Sequence, residues 1–132
     1  MKIDAHLVQE VLFVDYCRTL DGHLKKMIKK MDIYKYGYPS IKFRWDLDKF
    51  CQIFSNLEQL KCTLVEQNDL LFLFRYLPKL SILKAYILYL RDHISFQYWF
   101  KKETSKLNLL YQIKYTHNYE TELLVWIDRK IN

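Results

Sequence analysis

Ile53-Phe54-Ser55-Asn56-Leu57-Glu58-Gln59-Leu60-Lys61-Cys62 and Tyr76-Leu77-Pro78-Lys79-Leu80-Ser81-Ile82-Leu83-Lys84-Ala85 are one pattern written twice, 23 residues apart. Leu57 answers to Leu80, Leu60 to Leu83, Lys61 to Lys84, and the small Cys62 to Ala85. Each block reads L-x-x-L-x-small, which predicts strands near 57–62 and 80–86. Between them, Asp69–Tyr76 predicts a helix with its N-cap at Asn68 or Asp69. A unit of strand, helix and return cannot bury its apolar face alone, so such units are expected to stack.

Outward from this pair the same logic extends the chain. Gly37-Tyr38-Pro39-Ser40 is a turn cluster, and Ile41-Lys42-Phe43-Arg44-Trp45 alternates apolar and polar, predicting a strand at 41–45. Asp46 is the expected N-cap of a helix carrying Leu47, Phe50, Cys51 and Phe54. Upstream, Cys17, Leu20, Leu24, Met27, Ile28 and Met31 describe one helical face, with Lys25, Lys26, Lys29 and Lys30 opposite. Downstream, Ser95–Lys106 predicts a helix with Phe96, Trp99 and Phe100 on one side. Leu109–Tyr115 predicts a strand, His117-Asn118 a turn, and Leu123–Ile127 a closing strand. The expectation is one α/β domain over residues 1–132. It divides into an N-terminal helical segment (1–38), strand–helix repeats (39–116) and a terminal capping strand (117–132). The repeats would form a short solenoid, with parallel strands and the helices on its convex side.

Composition narrows the function classes. Of 132 residues, 51% are hydrophobic and 17% aromatic, enough apolar surface to order a core. The net charge of +6 favours anionic partners, although both signs are spread along the chain. Asp4 and Glu10 run against reading the start as a secretory leader, and the apolar stretches Leu70–Phe74 and Ile82–Leu90 are too short and too charged at their flanks to cross a bilayer. Three widely spaced cysteines fit buried thiols in a reducing compartment, so cytoplasm or nucleus is expected.

Chemistry is hard to find. Gly22 and Gly37 stand alone, which excludes a glycine-rich phosphate loop. His6, His23, His93 and His117 share no ligand spacing, and no C-x-x-C is present, so neither a metal nor another cofactor is expected. Cys51 or Cys62 would need a distant histidine beside it to act as a nucleophile. Asp46 with Asp48, and Glu120 with Glu122, read as capping or solvent-facing carboxylates. Trp45, Trp99 and Trp126 each sit in an apolar pattern and are expected in the core. Tyr34, Tyr36 and Tyr38 lead into the turn and read as edge or loop packing. No enzymatic activity is expected.

The blocks Asn56-Leu57-Glu58-Gln59-Leu60-Lys61-Cys62 and Leu77-Pro78-Lys79-Leu80-Ser81-Ile82-Leu83 resemble the leucine-rich-repeat region of divergent F-box/leucine-rich-repeat substrate receptors. The resemblance covers about residues 40–90. Val65 and Leu88 stand where that repeat commonly closes on Asn, and no F-box is recognisable in residues 1–40. It implies a leucine-rich-repeat-like solenoid acting as a non-catalytic protein-interaction module, a substrate-recognition fragment or a stand-alone derivative that holds its partner on its concave face, where the lysines named next favour an acidic one. With Leu60 and Cys62 inward, alternation turns Gln59, Lys61 and Thr63 outward. The next outward set is Ile82, Lys84 and Tyr86, followed in the last strand by Gln112 and Lys114. In-register strands would then align Lys42 or Arg44 with Lys61, Lys84 and Lys114 as a basic ladder. The competing expectation is a basic accessory subunit of a large assembly, such as an organellar ribosome, a membrane complex or a viral protein. There Lys25, Lys26, Lys29 and Lys30 would contact RNA or acidic surfaces.

Overall fold

The structure is a computed structural model that describes residues 2–4, 27–33, 43–88, 90, 92–115 and 120–128. The strands are β1 (Lys2–Asp4), β2 (Lys30–Asp32), β3 (Gln59–Leu64), β4 (Ile82–Leu88), β5 (Leu109–Tyr115) and β6 (Glu120–Ile127). Helices α1 (Phe43–Ile53), α2 (Asn68–Tyr76) and α3 (His93–Glu103) precede β3, β4 and β5 respectively. The strands form one six-stranded sheet in the order β1-β2-β3-β4-β6-β5.

The repeat seen in the sequence is the register of the sheet. β3 and β4 pair in parallel, with Leu60 opposite Leu83, Lys61 opposite Lys84 and Cys62 opposite Ala85. Ser81 reinforces the join: its backbone N–H and its hydroxyl both donate to the Glu58 carbonyl, at 2.8 and 3.0 Å. Leu60, Cys62 and Leu64 of β3, Leu83, Ala85 and Ile87 of β4, and Leu123, Val125 and Ile127 of β6 face one way. They share a single core with Phe50, Phe54, Leu70, Leu73, Phe74, Phe96 and Phe100 from α1, α2 and α3. The helices therefore cover one face of the sheet. α3 starts on Asp92, whose carboxylate accepts from the backbone N–H groups of Ile94 and Ser95. The expected cap of α2 at Asn68 or Asp69 falls one or two residues late, because Gln67 is the flanking residue and makes no side-chain cap.

The expected solenoid is overturned. A solenoid of parallel units would add each strand beside the last, whereas here β6 lies between β4 and β5 and runs antiparallel to both. The physical reason is burial. β6 places Thr121, Leu123, Val125 and Ile127 on the core side, all buried, while most of β5 is exposed. The more apolar strand takes the interior position, so Leu123–Ile127 is not a terminal cap. The predicted strand at 41–45 is also wrong. Phe43, Leu47, Phe50 and Phe54 continue a three-and-four spacing, and Phe43–Trp45 opens α1, with Asp46 inside the helix rather than capping it. The strand paired to β3 comes earlier, at Lys30–Asp32, so Lys30 and Met31, expected at the end of a helix, lie in a strand. Residues 17–26, the 37–40 turn and the His117-Asn118 turn lie outside the described residues.

Candidate functional site: the open face of the sheet

Alternation along the strands sends a second set of side chains to the face opposite the helices. Three cross-strand rows result. The first is Lys30, Gln59, Ile82, Trp126 and Leu110; the second is Asp32, Lys61, Lys84, Leu124 and Gln112; the third is Thr63, Tyr86, Glu122 and Lys114. A groove of about 420 Å³ crosses this face, lined chiefly by Lys30, Gln59, Lys61, Ile82, Lys84 and Leu124. Towards the other end of this face Thr63, Tyr86 and Leu88 are buried. The Thr63 hydroxyl is buried without a hydrogen-bond partner.

The expected ladder of four cations is not assembled. Arg44 lies in α1, not in a strand, and Lys42 lies outside the described residues. Lys61 and Lys84 are direct neighbours as expected. They are bracketed by acids, with Lys61 Nζ 3.9 Å from Asp32 and Lys84 Nζ 3.3 Å from Glu122. Both ammonium groups also stand 5.9 Å from the centre of the Tyr86 ring, close enough for cation–π attraction. Burial opposes the Lys84 charge, but the Glu122 and Tyr86 contacts outweigh it and hold its pKa above the ordinary lysine value. Lys114 sits one row further along, opposite Glu122. Among the outward set, Gln59, Lys61, Ile82 and Lys84 come together in the groove. Gln112 and Lys114 lie exposed on β5, and Thr63 and Tyr86 are buried rather than presented. Of the four lysines expected on one helix, Lys25 and Lys26 lie outside the described residues. Lys29 precedes β2 and pairs with Glu58, and Lys30 is in the strand.

Trp126, expected in the core, faces outward instead and is 38% exposed beside Leu110, which is 74% exposed. The signal was present in the sequence. Once Leu123 and Val125 are inward, alternation requires Leu124 and Trp126 to be outward. Trp99 does pack against the core, at its margin.

The helix side holds the thiols. Cys51 borders a cleft of about 580 Å³ between α1 and α2, together with Asp48, Phe72 and Arg75. Burial, helped by Asp48, pushes its pKa up to about 12, and burial pushes the enclosed Cys62 higher still. Neither is a thiolate near neutrality, so neither is poised for attack. The linkage has a definite sign. Above about pH 8.5 the unfolded chain releases these protons and the folded chain keeps them, so stability falls as pH rises. Each thiol contributes a slope of about 1.4 kcal/mol per pH unit. Urea unfolding between pH 7 and 10.5 should therefore show a shallower alkaline loss for Cys62→Ala than for wild type. Equal slopes would mean that Cys62 is not the enclosed thiol described.

No group of three or more His, Cys, Asp or Glu among the described residues could hold a metal. No helix among them is long and apolar enough to cross a membrane. No family model, curated protein or solved structure matches the chain.

Proposed function

We propose that the chain is a non-catalytic protein-interaction module that holds its partner on the open face of the sheet. The observation that carries this reading is the in-register apolar row Ile82–Trp126–Leu110, flanked by Leu124, in which Trp126 and Leu110 are exposed and Ile82 is half-buried. Solvent-facing tryptophan next to leucine and isoleucine is costly in an ordinary surface and is the usual composition of an interface centre. Lys61 and Lys84 border the row, which suits a partner segment that combines apolar side chains with carboxylates. Asp32 and Glu122 temper the expected acidic selectivity, because they already neutralise much of the lysine charge. The substrate-receptor role implied by the sequence resemblance enters only as this binding role, without the solenoid.

The test is a comparison of partners retained by wild type and by Leu110→Ser/Trp126→Ser, with circular dichroism confirming that both are folded. Losing an aromatic anchor of this kind costs about 2 kcal/mol or more, roughly thirtyfold in affinity. Lys84→Ala should weaken the same partner by no more than about fivefold, as expected for a half-exposed ion pair. If the serine variant keeps every wild-type partner at unchanged affinity, the open face is not the binding surface.

A further inference from the structure

A second surface, on the other side of the sheet, has a different character. Where α3 overlies the edge strand β5, a groove of about 500 Å³ is lined by Gln97, Tyr98, Lys101, Lys102 and Tyr111. Tyr98, Lys101 and Lys102 are three and four residues apart and so share one stripe of the helix. Tyr98 is 79% exposed. Tyr111 is fixed from below, its ring stacked on the buried Phe100 at 4.9 Å and 16°. A little further along β5, the Tyr115 hydroxyl accepts from the Gln97 amide at 2.8 Å, and its ring meets His93 edge-on at 3.9 Å. Among the described residues Lys101 and Lys102 form no ion pair with a carboxylate, unlike Lys61 and Lys84, and Glu103, the acid of α3, does not line the groove.

We propose that this groove binds single-stranded nucleic acid, with bases stacking on Tyr98 and Tyr111 and backbone phosphates meeting Lys101 and Lys102. Two features favour a nucleic acid over an acidic peptide. The cations have no carboxylate partner among the described residues, so phosphate charge is complementary to them, and one of the two rings, Tyr111, is held in place on Phe100 before any ligand arrives. Carboxylates need the lysines alone, whereas bases use the rings as well. The pre-positioned Tyr111 also spares part of the ordering entropy that a mobile platform would cost on binding. The binding is expected to be tolerant of sequence, because every base presents a stackable face and the Gln97 amide N–H that lines the groove is already engaged by the Tyr115 hydroxyl.

The experiment uses the whole chain and fluorescein-labelled twelve-nucleotide oligouridylate, followed by anisotropy at 50–300 mM salt, with an oligoglutamate peptide of equal charge as competitor. Binding should weaken steeply with salt. Tyr98→Ala, a solvent-facing change that leaves the fold intact, should weaken it about tenfold. Lys101→Ala/Lys102→Ala should reduce the logarithmic salt slope by about 1.4. Tyr111→Phe, which keeps the ring, should bind like wild type, and so should Leu110→Ser/Trp126→Ser, which alters only the opposite face. The proposal is overturned by no binding at 50 mM salt, by affinity unchanged in Tyr98→Ala, or by the peptide displacing the oligonucleotide at equal concentration.

Discussion

Leu123→Asp should leave the chain without a cooperative thermal transition, while Leu124→Asp, one residue on, should keep one. Leu123 is fully buried on the core face of β6, the strand that hydrogen-bonds to both β4 and β5. A carboxylate there would be stranded without a cation, at a cost of several kcal/mol beyond the lost apolar burial. A domain of this size has about 5–15 kcal/mol in total, and β6 joins β4 to β5 in the sheet. Leu124 points to the opposite face beside Lys84 and Gln112, where a charge stays in reach of water. Circular dichroism melts of the two variants check the assignment of faces directly. Matching melts for both would contradict the register of β6.

Phe100→Ala is the second large effect. The ring is fully buried and meets three other aromatics. It lies 6.2 Å from Phe74, 5.9 Å edge-on to Phe96 and 4.9 Å from Tyr111. Removing a buried phenyl group costs about 3–5 kcal/mol, in lost transfer energy plus the cavity left behind. For a chain of this length that corresponds to a fall in Tm of about 10–20 °C. The change also removes the support under Tyr111, so any ligand of the α3–β5 groove should bind more weakly in the surviving folded fraction. Phe100→Leu, which refills most of the volume, should recover most of the stability but not the stacked geometry. Calorimetry separates the two variants, and a loss below about 1 kcal/mol for the alanine would mean that the ring is not enclosed as described.

The middle of the chain was legible because its repeat is a register: a 23-residue offset between Leu60 and Leu83 is also the pairing of β3 with β4. The inward–outward split of both strands followed from alternation alone, and α2 and α3 followed from helical spacing. What failed was the information that lives between elements. Alternation in Ile41–Trp45 fits a strand by itself, and only the phenylalanines beyond it show that the helix has already begun. Nothing local distinguishes a strand that caps a sheet from one that slips inside it, because the choice depends on comparing the apolar character of β5 with that of β6. The ladder failed for the same reason. Asp32 and Glu122 are 29 and 38 residues away in sequence from Lys61 and Lys84 respectively, and the folded sheet puts each pair within 4 Å. Trp126 was misjudged through hydrophobicity, although period-two alternation already assigned it to the open face.

The strand order carries a consequence for biosynthesis. β5 leaves the ribosome before β6, yet its sheet partner is β6 and not the β4 already made. Until residues 120–127 emerge, Leu-Leu-Tyr-Gln-Ile-Lys-Tyr has no partner strand and the edge of β4 is open beside it. A seven-residue apolar segment with one charge and no proline, next to a free strand edge, is the composition that nascent chains aggregate through.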